Sequence, residues 1–283
     1  MNPRYDERYE GDQTPSRAVV ERCREAICEE NAEVHLALVH YRGGEEEFLL
    51  GVEYSQSADP LDRAIGADVL GQLGWGDQTF LTESVDVLIP LLNDADPRVI
   101  HAAAMSLGHR ADPRAIPYLI KQADHPDPHV RYGIVHGLST HDDPDAIVAL
   151  IKLAADEDHD IRNWAVFGLG SLTDCDTPEI REALYSALKD SDSEIRGEAL
   201  LGLAVRHDPR AKRAILDEWE NEVVGRLSIE AAKELGDPDL LPALRGFRET
   251  MDFNLELSDD VSYLDYLDQA IASCVEATKA SSH

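Results

Sequence analysis

With 283 residues and a hydrophobic content of 43%, the chain has enough apolar material for a continuous core, which excludes global disorder. Its 56 acidic against 26 basic residues give a formal charge of −30, a surface that repels nucleic-acid phosphates and anionic membranes and favours basic partners. The four cysteines form no CxxC pair, and neither a signal core nor a run of 18 apolar residues occurs, so a cytoplasmic protein of a reducing compartment without a zinc site is expected.

Residues 1–13 are polar and aperiodic, and are expected to form a loose acidic tail. A helix is predicted from Thr14-Pro15, with the threonine as N-cap and Val19, Val20, Cys23 and Ile27 at helical spacing. Residues 33–55 allow two readings. The alternation in EVHLALVHY and EEFLLGVEY around Gly43-Gly44 suits a β-hairpin, but the same letters suit two helices joined by a glycine turn. Helices agree better with the helical repeat of the downstream chain. Ile65 and Leu73-Gly74 mark a first helix, and Val85, Leu88, Leu91 and Leu92 a second, with Pro90 expected to kink it or to mark a tight turn.

From there one pattern recurs. DPRVIHAAAMSLG, DPHVRYGIVHGLS and DHDIRNWAVFGLG place Val99, Val130 and Ile161 31 and 31 residues apart. Leucines 73, 107, 138, 169, 203 and 235 extend the register with spacings of 34, 31, 31, 34 and 32. A fixed period in this range is the mark of a solenoid. First helices at 97–108, 128–139, 159–170, 193–204 and 227–236 are each followed by a second, at 115–123, 146–154, 177–188, 208–219 and 237–247. Asp-Pro steps at 96, 112, 127, 143, 208 and 237, with Thr177-Pro178, punctuate the units, because aspartate accepts from the orphan N–H groups of a helix start and proline needs no partner there. In the tail, Ser258 or Asp259 is a candidate cap for a helix striped by Val261, Leu264, Leu267, Ile271 and Val275, a terminal lid on the array.

Asp127-Pro-His-Val-Arg131, Asp158-His-Asp-Ile-Arg162 and Asp192-Ser-Glu-Ile-Arg196, with small residues midway and Leu-Gly at the helix end, resemble HEAT-like repeats of the short type first described in phycobilin lyases. The resemblance covers about residues 30–250. It implies an all-α, right-handed α-solenoid of about six to seven helical hairpins with helical caps at both ends. The expected division is a tail at 1–13, a capping helix and divergent first repeat at 14–57, the array at 58–250, and a cap and tail at 251–283. Second helices are expected to line the concave face. Such arrays are scaffolds for many tasks.

Arg131, Arg162 and Arg196 recur at one repeat position, each four residues after an acid, and form either a ladder locking successive units or a grip for an anion. The first clear units depart from the pattern, Ile65 being followed by Gly66 and Val99 by Ile100, so the arginine ladder covers only three units. A column of mostly small residues reads Leu36, Asp68, Ala102, Gly133, Trp164, Glu198 and Glu230. Trp164, with Asn163, Phe167 and Glu198, is a candidate binding locus, because tryptophan and arginine dominate interface energetics; its alternative role is to fill a gap between repeats. The histidines 101, 125, 129 and 136 share no repeat position. HEAT-like hydroxylases hold two irons with paired His-Glu dipeptides, and this chain has none. No catalytic residue, metal or cofactor is predicted. Two function classes remain: a non-catalytic scaffold for a basic protein partner, in one form an immunity or inhibitor protein, or a phycobilin-lyase-like protein handling a chromophore or small molecule.

Overall fold

The structure, a computed structural model, describes residues 9–28, 36–220, 224–254 and 261–280. Sixteen α-helices and no strand occur among the described residues, so the fold is an all-α solenoid. The helices are α1 (Ser16–Cys28), α2 (Ala37–Arg42), α3 (Glu45–Ser55), α4 (Pro60–Gly71), α5 (Leu81–Leu91), α6 (Pro97–Arg110), α7 (Ile116–Ile120), α8 (Pro128–Leu138), α9 (Pro144–Leu153), α10 (His159–Phe167), α11 (Pro178–Ala187), α12 (Ser193–Val205), α13 (Ala211–Glu218), α14 (Arg226–Leu235), α15 (Leu241–Asn254) and α16 (Val261–Ala280). The chain divides within α9 into two compact units, Met1–Ala149 and Leu150–His283.

The aspartate grammar is realised in atoms. Carboxylates of Asp59, Asp96, Asp112, Asp127, Asp143, Asp158, Asp192, Asp208 and Asp237 each accept the N–H two residues on, at 2.7–3.0 Å. Thr177 accepts from Ile180 at 3.3 Å. Each satisfies a donor that the helix cannot, a contribution of about 1 kcal/mol. The repeating apolar positions form the core: Val99, Leu107, Val130, Leu138, Ile161, Leu169 and Leu203 are all wholly buried. Each such leucine contributes about 1.5–3 kcal/mol. First helices of successive pairs pack side by side, α4 on α6 and α6 on α8 in the first unit, α10 on α12 and α12 on α14 in the second. The glycines near their ends permit this approach. A Cβ on Gly202 would meet the Cα of Gly170 at 2.6 Å, and one on Gly108 would meet that of Gly137 at 3.0 Å.

Several expectations change. The ambiguous segment is helical at α2 and α3, with Gly43 as the left-handed turn (φ 52°) between them; Glu33 lies outside the described residues. Thr14 does not cap α1: its N–H bonds Asp12 and its carbonyl accepts from Arg42, and the helix opens from the Pro15 carbonyl. Ile27 is 48% exposed, and Ala26 takes the inward place. Pro90 lies in the last turn of α5, and i→i+3 bonds from Leu92, Asn93 and Asp94 close tight turns around it, the second of the two roles expected for it.

The first clear unit is out of register by three residues. Capping aspartates 59, 96, 127, 158 and 192 are 37, 31, 31 and 34 apart, so Leu70, not Leu73, matches Leu107, and Ile65, not Asp68, belongs to the small-residue column. Burial pushes the Asp68 carboxyl up to about 7. The helix predicted at 115–123 shrinks to α7, led in by a 3-10 turn at Pro113–Ala115. α10 stops at Phe167 and widens into a π turn, Gly168–Leu172, closed by Thr173 N–H on the Gly168 carbonyl at 3.2 Å. At the C-terminus, Ser258 and Asp259 lie outside the described residues. The inward stripe of α16 centres on Leu267, Ala270 and Cys274, packed against α14 and α15, with Leu264, Ile271 and Val275 half-buried at its flanks.

Candidate functional site

Two arginine columns fasten the repeats. Four residues after its cap, Arg63 sends Nε and Nη2 to the carboxylate of Asp94 at 2.7 and 2.8 Å, and Nη1 to the Ser57 and Ala58 carbonyls. Arg162 repeats this on Asp190 (2.7 and 3.3 Å) and on the carbonyls of Asp156 and Glu157. Arg196 does so on Glu218 (2.9 Å twice) and on the carbonyls of Asp190 and Ser191. Arg131 is buried and takes the His125 and Pro126 carbonyls. The carboxylate partners of Arg63, Arg162 and Arg196 are therefore not the acids four residues earlier, which cap their own helices, but acids 31, 28 and 22 residues further on. Asp94 and Asp190 also accept the N–H of the next capping aspartate, at 2.9 and 3.0 Å. Paired with Arg63 and Arg162, these two carboxyls titrate below the usual carboxylate range. Arg63 extends the ladder to the first clear unit, a member hidden by the three-residue slip.

The second column lies fourteen residues after the cap and escaped the sequence reading. Arg110, 2% exposed, gives Nε and Nη2 to the Leu70 carbonyl and Nη1 to that of Leu73 at 3.2 Å; burial lowers it to about 10. Arg206 gathers the carbonyls of Leu169, Gly170, Thr173, Cys175 and Gly202 at 2.8–3.2 Å. Those of Leu169 and Gly170 lie in the π turn, where a helix that changes pitch leaves carbonyls without partners. His141 occupies the same column, buried, with Nε2 unpartnered, and burial lowers its pKa. The signal was present in the sequence as Arg110, His141 and Arg206, but an arginine near a helix end reads equally well as a solvated partner of the helix dipole.

The remaining predicted residues converge elsewhere. Asn163, Trp164, Phe167 and Glu198, joined by Glu194, line one cavity of about 300 Å³ between α10 and α12. Trp164 and Phe167 meet edge to face, centroids 5.5 Å apart at 79°. Asn163 Oδ1 is buried and has no hydrogen-bond partner. Glu194 and Glu198 form no ion pair among the described residues; Glu198 accepts from Ser171 Oγ, in the π turn, at 3.2 Å. Burial, then the negative neighbours Glu194 and Glu230, push the Glu198 carboxyl above its ordinary value, opposed by Ser171 and Arg226. Arg226 itself is engaged by the Tyr266 hydroxyl (3.2 Å) and by Glu230 (3.6 Å). A larger cleft of about 510 Å³ between α11, α12 and α13 is less promising. Apart from Lys189 its charges are satisfied locally: Arg210 on Asp208 and Glu182, Arg213 on Asp217, and Glu218 on Arg196. Among the described residues one trio, Asp158, His159 and Asp160, has its side-chain donors close enough to share a cation, and Asp158 is already a cap.

Comparison with known proteins agrees with this architecture. Residues 50–122, 85–170 and 147–219 match the family model of HEAT repeats, and the chain belongs to that family. YibA of Escherichia coli K12 is 42% identical over 69 residues, which span 24% of this chain and 25% of YibA. The X-ray structure of E. coli YibA superposes over 92% of this chain and 98% of its own, with a TM-score of 0.62 and 26% identity. Kap121p shares the fold over 92% of this chain and 33% of its own, TM-score 0.59, at 16% identity. The CpcE–CpcF complex of phycocyanin lyase from Nostoc sp. PCC7120 aligns over 80% of this chain and 94% of its own, with TM-score 0.48 and 19% identity. No helix among the described residues is long and apolar enough to cross a membrane.

Proposed function

We propose that this chain is a non-catalytic binding scaffold that engages a basic protein in the cytoplasm. The observation that carries the reading is the disposition of charge. Arginine after arginine is engaged by the chain's own carboxylates or carbonyls, as at Arg63, Arg114, Arg162, Arg196 and Arg210. With 56 acids against 26 bases, the surplus carboxylates have no internal counter-charge, and a cationic surface is the natural complement. An inhibitor or immunity protein that covers a basic enzyme is one concrete form of this activity. Repeat arrays suit the task, because stacked units present an extended surface while each unit is held by its neighbours.

The test is affinity capture by the tagged chain from its native lysate at low and high salt, followed by identification and purified rebinding of what is held. One basic protein, released as salt rises, is the expected result. Capture without preference for basic proteins, or indifferent to salt, overturns the reading. A purified chain absorbing visible light, or taking up a linear tetrapyrrole, would replace it with chromophore handling.

A further inference from the structure

The cavity between α10 and α12 has a consistent chemistry. Its walls offer two aromatic rings and two carboxylates one helical turn apart on α12, with the Asn163 side chain beside them. None of its lining residues carries a positive charge. An anion would meet Glu194 and Glu198 directly. A neutral apolar group would leave the half-buried Glu198, whose one hydrogen bond is from Ser171, without a counter-charge, which is costly once water is displaced. A cation suits both kinds of group at once, the aromatic rings and the carboxylates.

We propose that the Trp164 cleft receives a single cationic side chain, a lysine ammonium or an arginine guanidinium, presented by the partner protein. This rests on the basic-partner reading above. The volume of about 300 Å³ lies at the small end of ligand sites and suits one side chain better than a bulky cofactor. The carboxylates are also available. Arg226, which opposes the upward shift of the Glu198 carboxyl, is held by Tyr266 and Glu230, and Arg162 and Arg196, beside the cleft in sequence, are closed on Asp190 and Glu218. Glu194 and Glu230 each disfavour the negative charge on Glu198. The π turn contributes directly, because it carries Ser171 to the Glu198 carboxylate and so orients that acid.

The chain has three tryptophans, so ¹⁵N-indole NMR of the full-length protein isolates the site, with the Trp164 signal assigned by its loss in Trp164→Phe. Blocked lysine, blocked arginine and blocked norleucine are titrated in turn. The lysine and arginine arms separate ammonium from guanidinium preference, and norleucine supplies the apolar shape without charge. A saturable shift of Trp164 with either cation, weakened at least about tenfold in the Glu194→Gln/Glu198→Gln variant, is expected, since both carboxylates are removed while size and fold are kept. An equal response to norleucine, or no saturable shift, overturns the proposal. Partner capture separates the two readings. If Trp164→Ala captures a basic partner at wild-type strength, the cleft assignment falls and the basic-partner reading stands. If the wild type captures no basic protein although Trp164 responds to lysine, the cleft stands and the wider reading falls.

Discussion

Within the second unit, two sets of charges lie almost side by side on the same helices and differ in kind. Arg162 and Arg196 are saturated: each guanidinium bonds a carboxylate and two carbonyls. One and two residues further on, Asn163 and Glu198 line a cavity, and Glu198 has no ion pair among the described residues. Structural polar groups in a folded chain find partners, because an unsatisfied one costs about 1–3 kcal/mol. The fastened column therefore marks what the fold needs. The unfastened cleft is the place proposed above for the partner's cationic side chain.

That contrast can be broken experimentally, and the largest effect is expected away from the cleft. Arg206→Ala strips donors from five carbonyls in and around the π turn and should lower stability by about 3–5 kcal/mol in urea unfolding, the range for removing one partner of a buried charged network. Trp164→Ala should weaken partner affinity by at least about 2 kcal/mol, roughly thirtyfold, in calorimetric titration, with far-UV circular dichroism unchanged. Equal loss of structure would make Trp164 a packing residue. Arg162→Ala, removing a pair whose side chains are 19% and 11% exposed, should cost about 1–2 kcal/mol at neutral pH. Asp190 is held below its unfolded pKa, so the stabilisation is present above that unfolded value and is lost as pH falls through the depressed one. The gap between wild type and Arg162→Ala should close in acid.

The smallest effect is the most discriminating in sign. Glu198 has a raised pKa in the folded state, so ionising it costs stability. The penalty is full above the folded pKa and vanishes below the unfolded one. Glu198→Gln should therefore raise Tm at neutral pH by on the order of 1 °C, an advantage that disappears on acidification, while weakening partner binding. A variant that loses both stability and binding would place Glu198 among the fasteners.

The sequence made the period, the caps and the buried leucines legible because each rests on chemistry that repeats in every unit. Asp-Pro steps and leucines about 31 residues apart leave little freedom once helices must stack. What stayed hidden depends on geometry that the letters do not carry. Arg63 was missed because the first clear unit is 37 residues from cap to cap, not the 34 implied by a false alignment of Leu73 with Leu107. The π turn was missed because Gly168-Leu-Gly170 reads as an ordinary helix end, and the group that takes up its carbonyls, Arg206, lies just past the end of α12, more than thirty residues on. At the cleft, Trp164 and Glu198 were visible as large intruders in a column of small residues. Glu194 was not, since an acid in the first turn of a helix needs no explanation beyond the dipole.

The division of labour in the arginine column also bears on how such chains lengthen. One unit brings the guanidinium, and the loop opening a neighbour supplies the acid, as with Arg63 and Asp94 or Arg162 and Asp190. Every unit built this way carries one plug and one socket. A gene duplication copying a whole period from any starting point inserts both halves and leaves each new junction closed, whereas a copy of half a period strands a plug or a socket. The slack in the 37- and 34-residue spacings between capping aspartates falls in the segment between a plug and the socket it enters, 31 residues for Arg63 and Asp94 and 28 for Arg162 and Asp190.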